Sequence, residues 1–457
     1  MPRRKLTYMR VLLVSTYELG RQPVHLASPA AALRGVGHEV RTVDVAVDDL
    51  DDTDLDWADR MAISVPMHTA TRLADSLVDA VRSHRPELSI ALYGLYAGVG
   101  SSPVDARLEA EYEPALLDWV AGGGGGSVRH LGRSEFMVPD RHGLPGIDRY
   151  ARLEHAGSTV LAGAVEASHG CRHRCRHCPI PAVYDGRIRV VPGDDVLADI
   201  DNLVVAGAGH ITFGDADFLN APAHSLGILE RAHAAHPSVT FDATIKVEHI
   251  LDHREIWPHM AELNLLFVVS AFESVDESTL EILDKGHTVP DMAEAVTITR
   301  NAGVHIRPTW LPFLPWTTPD DVADTLQFID RHNLAGATDP VQMSIRLLVP
   351  AGSLLEDHPA MTPHLEEYDE PALSWRWSFA DPETAMLYKE LEAIAAHASD
   401  CGQEAVPTLN EMRAVVARFT DRELVSLEEV ASTPRLSESW FCCSEPTGSQ
   451  TVSIRSR

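Results

Sequence analysis

Short apolar runs and longer stretches of helical periodicity alternate along most of the chain, and this alternation predicts the elements. Residues 10–14 form an apolar run suited to a buried parallel strand. Residues 29–36 read as a helix stopped by Gly37 and His38, and residues 40–45 as a second strand. Residues 61–65, a helix over 70–81 and residues 88–93 continue the series, which predicts a doubly wound parallel sheet. The five-glycine run 122–126 cannot hold regular structure cheaply and reads as a surface loop. Residues 136–157, with Pro139, Pro145 and Gly146, read as a connector.

A second alternating series predicts strands over 159–165, 210–214, 239–243, 265–270, 305–310 and 342–348. Asp194 and Asp195 are suited to cap a helix carrying Leu197, Ile200 and Val204 and ending at Gly207. Thr318, Pro319 and Asp321 open another, with Val322, Leu326 and Ile329 on one face. Six βα units are too few for a closed eight-stranded barrel, so a partial (βα)6 barrel is expected, its reaction site at the carboxyl ends of the strands. Asp381, Pro382 and Glu383 start a helix with Leu387, Leu391, Ile394 and Ala395, and Met412, Val415, Val416 and Phe419 mark another. The expected division is 1–135 for the first sheet, 136–157 for the connector, 158–350 for the barrel and 351–457 for a mainly helical remainder.

Charge narrows the partners. Lys plus Arg number 38 and Asp plus Glu 67, a net charge of −29, which argues against a nucleic-acid backbone as partner. No apolar run approaches the roughly 20 residues of a membrane span. The basic stretch 1–10 is not followed by the apolar segment of a secretory signal, so a cytosolic protein is expected. Six cysteines in two tight clusters and one single position then point to metal or redox chemistry rather than disulfides.

The strongest chemical signal is Cys171, Cys175 and Cys178, spaced C-x3-C-x2-C directly after the first strand of the second series. Three thiolates from one loop can hold three irons of a four-iron cluster and leave the fourth open to a small molecule. Structural zinc normally takes four protein ligands at paired spacings. His169, His173 and His177 leave zinc open at the level of these residues.

This arrangement resembles the radical S-adenosylmethionine (radical SAM) superfamily over residues 155–350. The resemblance also rests on Ser168–Gly170 leading into the triad, on the Gly- and acid-rich 210–220 segment, on 271–274 followed by Leu280, Leu283, Lys285 and Gly286, and on 346–354. It implies a [4Fe-4S] cluster that reductively cleaves SAM to a 5′-deoxyadenosyl radical, which abstracts a substrate hydrogen. It implies Gly214, Asp215 and Asp217 near the SAM amine, Glu273 and Ser274 near the ribose, and Lys246 near the carboxylate. Asp after a strand also commonly caps the next helix, and Lys246 reads equally as a surface lysine. The position before the third cysteine, usually aromatic in the family, is His177.

Residues 23–44 resemble the domain that precedes the barrel in cobalamin-binding radical SAM enzymes, so cobalamin enters as a possible cofactor. The Asp-x-His-x-x-Gly cobalt-ligand motif is absent from residues 1–130, and His25, His38 and His68 read as turn or surface residues. Trp440 to Pro446 resembles the tail of CUAEP/CCAEP-tail radical SAM (seleno)proteins, with Ser444 in place of the usual Ala. Cys442 and Cys443 are then candidates for a nucleophilic, redox or ligand role, and Cys401, before Gly402 at a helix end, reads as structural or incidental. The expected function is a radical SAM enzyme acting on a small molecule or peptide, with a flavodoxin or ferredoxin as reductant. Cobalamin would favour methyl transfer. A non-catalytic metal or redox carrier is the alternative from another class, and an RNA-modifying enzyme fits the charge least.

Overall fold

The computed structural model describes residues 8–428 and 430–438. The amino-terminal half of the fold is a six-stranded sheet of β1 (Arg10–Ser15), β2 (Glu39–Asp44), β3 (Arg60–Ser64), β4 (Ser89–Tyr93), β5 (Ala106–Ala110) and β6 (Gly126–His130). Its order is β2-β1-β3-β4-β5-β6, with every pair parallel. Val11 and Leu13 pack into one apolar cluster and Leu12 and Val14 into another, because helices cover both faces. That double burial is why β1 reads as an uninterrupted apolar run.

Three details depart from the sequence expectation. The helix expected over 29–36 begins earlier, as Val24–Gly35, with Pro29 inside it. Pro29 has no N–H to give the His25 carbonyl one turn back, and the Tyr93 hydroxyl donates to that carbonyl instead, at 2.7 Å. Strands β5 and β6 and the helix Glu113–Val120 fall where no element was expected. β6 is largely exposed, so no apolar run announces it, and Gly126 of the glycine run is its first residue.

The second half is built on β7 (Arg152–His155), β8 (Ser158–Val165), β9 (Ser168–Gly170), β10 (Ile188–Val190), β11 (His210–Phe213), β12 (Thr240–Thr244), β13 (Leu265–Glu273) and β14 (His305–Trp310). A hairpin of β15 (Leu365–Asp369) and β16 (Ser374–Trp377) follows, and β17 (Arg435–Leu436) closes the described chain. The curled sheet has the order β14-β13-β12-β11-β8-β7-β17. β8 and β11 to β14 are parallel, whereas β7 lies antiparallel on β8 and β17 antiparallel on β7. The end of the expected connector is therefore a barrel-sheet strand. The span 342–348 begins in a 3-10 helix, Pro340–Ser344, and contributes only a parallel bridge, Phe313 to Arg346. Gln342 accounts for this: its Oε1 accepts from the Trp310 N–H at 3.0 Å, so a side chain occupies a β14 edge amide.

Helices Gly193–Val205, Pro319–Arg331, Pro382–Cys401 and Ala405–Thr420 fill the expected helical segments. Thr318 and Asp321 form a reciprocal capping box. Asp194 and Asp195 lie in the first turn of their helix but do not cap it by a side-chain hydrogen bond. Arg141, in the connector, donates to both Asp199 oxygens at 2.7 and 2.8 Å, to Gln22 Oε1 at 2.8 Å and to the Ala164 carbonyl at 2.7 Å. One guanidinium thus joins the first sheet's loops to the barrel. Among the described residues no helix is long and apolar enough to cross a membrane.

Candidate active site

After β8 the chain turns through β9, which pairs with β10, and delivers the cysteine loop to the carboxyl end of the sheet. Gly170 has a φ of 77°, and a Cβ there would sit 2.3 Å from the Arg187 carbonyl, so only glycine permits this turn. Cys175 is buried, and Cys171 and Cys178 are half-buried. All three line one cavity of about 330 Å³. Burial, with the Asp217 charge adding, pushes the Cys171 thiol up to about 11, so ligation has to displace a firmly held proton.

The residues expected around SAM fall into three groups. Asp215 accepts from Ala167 N at 2.9 Å and from Ser168 Oγ at 2.6 Å. Burial raises its carboxyl to about 6. Its two oxygens therefore fix the lead-in to the cysteine loop. A Cβ at Gly214 would make only ordinary contacts, 3.4 Å from Arg21 and 3.5 Å from Glu166, so its glycine identity is not forced by crowding.

His177, Glu273 and Lys285 form the second group. His177 Nε2 lies 3.1 Å and Lys285 Nζ 3.2 Å from Glu273 Oε1, and all three side chains are buried. Burial opposes ionisation of Glu273, but Lys285 and then His177 outweigh it and hold the carboxyl at about 2. Ser274 Oγ accepts from Asp276 N at 3.1 Å, a turn contact. Lys285 lines the cavity; burial opposes its charge, but Glu273 outweighs burial and keeps it protonated. Sequence reasoning had not named it as a site residue, although the Leu283-x-Lys285-Gly286 run was visible.

The third group gathers His173 from the cysteine loop, Asp217, Lys246 and His249. His173 Nδ1 is 3.0 Å from Lys246 Nζ, and His249 Nδ1 is 2.8 Å from Asp217 Oδ2. Lys246 pairs with Glu248 and is buried, which corrects its surface reading. His249 was not foreseen, and neither was Asn220, whose Oδ1 accepts from Arg172 N at 3.1 Å and meets Cys171 Sγ at 3.8 Å.

The opposite wall comes from the carboxyl edge of the first sheet: Pro66, Met67, Leu95, Tyr96 and Tyr112. His25 lies between Glu18 at 3.0 Å and Glu166 at 3.6 Å. Burial would lower its imidazole, yet these two carboxylates raise it to about 9. His169 sits between Glu111 and Glu166, at 3.2 and 3.3 Å. His38 is buried in the turn between the first helix and β2, as expected of a turn residue. His68 is buried in a helix and His25 is a helical residue lining the cavity, so neither of these two is the turn or surface residue expected. Cys442 and Cys443 lie outside the described residues.

This donor set suits a cluster better than zinc. A tetrahedral zinc with sulfur bonds of about 2.3 Å needs its ligands within about 4 Å of one another. Among the described residues the three metal-type donors within 4.8 Å are those of His173, Asp217 and His249, not the three cysteines. The fourth described cysteine, Cys401, is exposed at a helix end. Buried polar atoms near the triad also lack hydrogen-bond partners, among them His177 Nδ1 and Asn220 Nδ2, as in a site shaped for a polar ligand.

Residues 165–329 match the family model described as the Radical SAM superfamily. Hopanoid C-2 methylase of Rhodopseudomonas palustris (strain TIE-1) is 24% identical over 183 residues, 39% of this chain and 34% of that protein. Hopanoid C-3 methylase of Methylococcus capsulatus is 23% identical over 323 residues, 65% of this chain and 62% of that protein. The chain thus spans between a third and two thirds of the length of these relatives. The solved structure of the cobalamin-dependent S-adenosylmethionine radical enzyme OxsB, with aqua-cobalamin and S-adenosylmethionine bound, superposes with a TM-score of 0.66 at 14% identity, covering 86% of this chain and 67% of that one. The radical SAM methyltransferase TsrM from Kitasatospora setae, with cobalamin and a [4Fe-4S] cluster bound, gives 0.53 at 16% identity, covering 71% of each chain.

Proposed function

Residues 165–329 of this chain are a radical SAM domain, and from that premise we propose an enzyme that works on a small molecule or peptide enclosed between its first sheet and its barrel. The observation that carries the proposal is the shared cavity, with the cysteine triad on one side and the carboxyl edge of the first sheet on the other. Cys171, Cys175 and Cys178 would hold a [4Fe-4S] cluster, which supplies one electron and an open iron position for reductive cleavage of SAM.

The protein's own groups prepare that chemistry. Asp215, bonded to Ser168 and Ala167, holds the approach to the cysteine loop. Glu273 with Lys285 fixes His177, which leaves Nδ1 facing no protein partner and available to a bound nucleotide. Asn220 steadies the first cysteine and has Nδ2 to donate. The apolar wall of Pro66, Met67, Leu95, Tyr96 and Tyr112 excludes water from a reactive intermediate. A flavodoxin or ferredoxin is the proposed reductant. The net charge of −29 disfavours a nucleic-acid substrate, and a cavity of about 330 Å³ beside the triad disfavours a simple metal carrier.

Cobalamin-dependent methyl transfer is the second reading. It is favoured by the same apolar wall, which faces the triad as a flat hydrophobic ligand would require, and by similarity to two structures that contain cobalamin. His25 is clamped between carboxylates in its charged form, so it would not serve as a cobalt ligand. The deciding experiment combines deoxyadenosine release from SAM under reductant with hydroxocobalamin co-elution on gel filtration. Release without corrinoid supports the first reading, both together support the second, and neither refutes both.

A further inference from the structure

Three chain segments converge beside the triad on donors that the proposed reaction leaves without a task. His173 comes from the cysteine loop, Asp217 from the turn after β11, and His249 from the helix Val247–Asp252 after β12. One donor atom from each lies within 4.8 Å of the others. His173 Nε2 stands 3.3 Å from His249 Nε2, and Asp217 Oδ2 stands 3.9 Å from His173 Nε2 and 2.8 Å from His249 Nδ1. Donors bonded at 2.0–2.1 Å to one tetrahedral ion are separated by about 3.3 Å. The His173–Asp217 separation of 3.9 Å would close slightly on an ion, and His249 would give it one ring nitrogen, either Nε2 on the His173 side or Nδ1 on the Asp217 side.

The second observation concerns orphaned atoms. Asp217 is 2% and His249 8% exposed, yet Asp217 Oδ2 and His249 Nδ1 make no hydrogen bond. They are close, but they are not oriented as donor and acceptor. Asp217 Oδ1 is already committed to Leu219 N at 3.1 Å, which fixes the carboxylate and leaves Oδ2 for another partner. Behind His173, Lys246 Nζ lies 3.0 Å and Glu248 Oε2 3.4 Å from Nδ1. A carboxylate at the far nitrogen supports an imidazole that binds metal through the other one, so ion binding would require Nδ1 to donate to Glu248 in place of its contact with Lys246. Lys246, paired with Glu248, does not leave an uncompensated cation there.

We infer that His173, Asp217 and His249 bind one divalent transition ion of borderline softness, such as Zn²⁺ or Fe²⁺, separate from the triad. Two imidazoles and one carboxylate are the donor set such ions take, with at least one position left for water or substrate. His173 and Asp217 both line the cavity, so the open position faces it. The ion ties the cysteine loop to two barrel exits, and it makes Asp217 a ligand rather than the acceptor for the SAM amine.

The test uses the full chain carrying Cys442→Ser and Cys443→Ser, reconstituted anaerobically with iron and sulfide, equilibrated with zinc and desalted. Elemental analysis should find one zinc per chain beyond the iron. His249→Ala, or His249→Gln should alanine impair folding, should lower the zinc at least tenfold while iron content and absorption near 400 nm stay unchanged. Zinc X-ray absorption should show nitrogen and oxygen neighbours without sulfur. The triple variant Cys171→Ala, Cys175→Ala, Cys178→Ala should lose its iron and keep the His249-dependent zinc, which separates failure of the cluster reading from failure of this one. No zinc in the parent protein, zinc indifferent to His249, or a sulfur shell would overturn the inference.

Discussion

Lys285 Nζ and Glu273 Oε1 lie 3.2 Å apart with side chains 3% and 9% exposed, beside the cysteine loop. Two charges in such a place hold each other in the ionised state, and His177 shares the same carboxylate oxygen. Removing one member costs more than the pair contributes, because the other is left buried and uncompensated. Glu273→Ala should destabilise the fold by about 3–5 kcal/mol in denaturant unfolding. Glu273→Gln with Lys285→Met should recover part of that loss. Equal losses for the single and double variants would refute the pairing.

A pH dependence follows from His25. Its folded-state value, about 9, lies above the ordinary 6.5, so the folded state binds the proton more tightly. The stabilisation is fully present below 6.5 and is lost as pH rises toward and through 9. Thermal midpoints should fall over that window, and His25→Gln should flatten this part of the profile. A wild-type slope that His25→Gln leaves unchanged would count against the Glu18–His25–Glu166 contact.

Arg141 and Asp199 make a second buried junction, with side chains 10% and 3% exposed. Asp199→Ala should strand the guanidinium, costing about 3–5 kcal/mol. It should also speed proteolytic cleavage within 136–157, the segment that Arg141 anchors. Unchanged cleavage would mean that other contacts hold the connector.

Gly170→Ala tests the cysteine loop without touching a cysteine. Its positive φ and the 2.3 Å approach of the Arg187 carbonyl to a new Cβ force the turn to shift. Iron retained after reconstitution should fall well below wild type, with the rest of the barrel still folded by far-UV circular dichroism. Full iron retention would show that the loop adapts.

The sequence made the buried parts of this fold legible and the edges obscure. β1, β13 and β14 carry apolar runs or alternation because their faces are covered, whereas β6 is exposed and β7 is four residues long, so neither announces itself. Span 342–348 has strand composition, but the Gln342 side chain takes the Trp310 amide and the strand is reduced to a bridge. At the site, the triad was legible because its ligands are local in sequence. Lys285, Asn220 and His249 were harder to see, since each gains its meaning from a partner 49 or 76 residues distant or from burial: Asn220 from Cys171, His249 from His173, and Lys285 from its burial against Glu273. His25 and His68 misled for the same reason, as a histidine's burial is set by tertiary packing and not by its neighbours in sequence.

The proposed chemistry requires an iron–sulfur cluster at Cys171, Cys175 and Cys178 with one iron open to SAM. Electron paramagnetic resonance of the reduced, anaerobically reconstituted chain, recorded with and without SAM, tests it most directly. A [4Fe-4S]⁺ signal should appear, shift when SAM is added and vanish in Cys175→Ala. A protein that carries zinc at the triad, or a cluster signal indifferent to SAM, would contradict it.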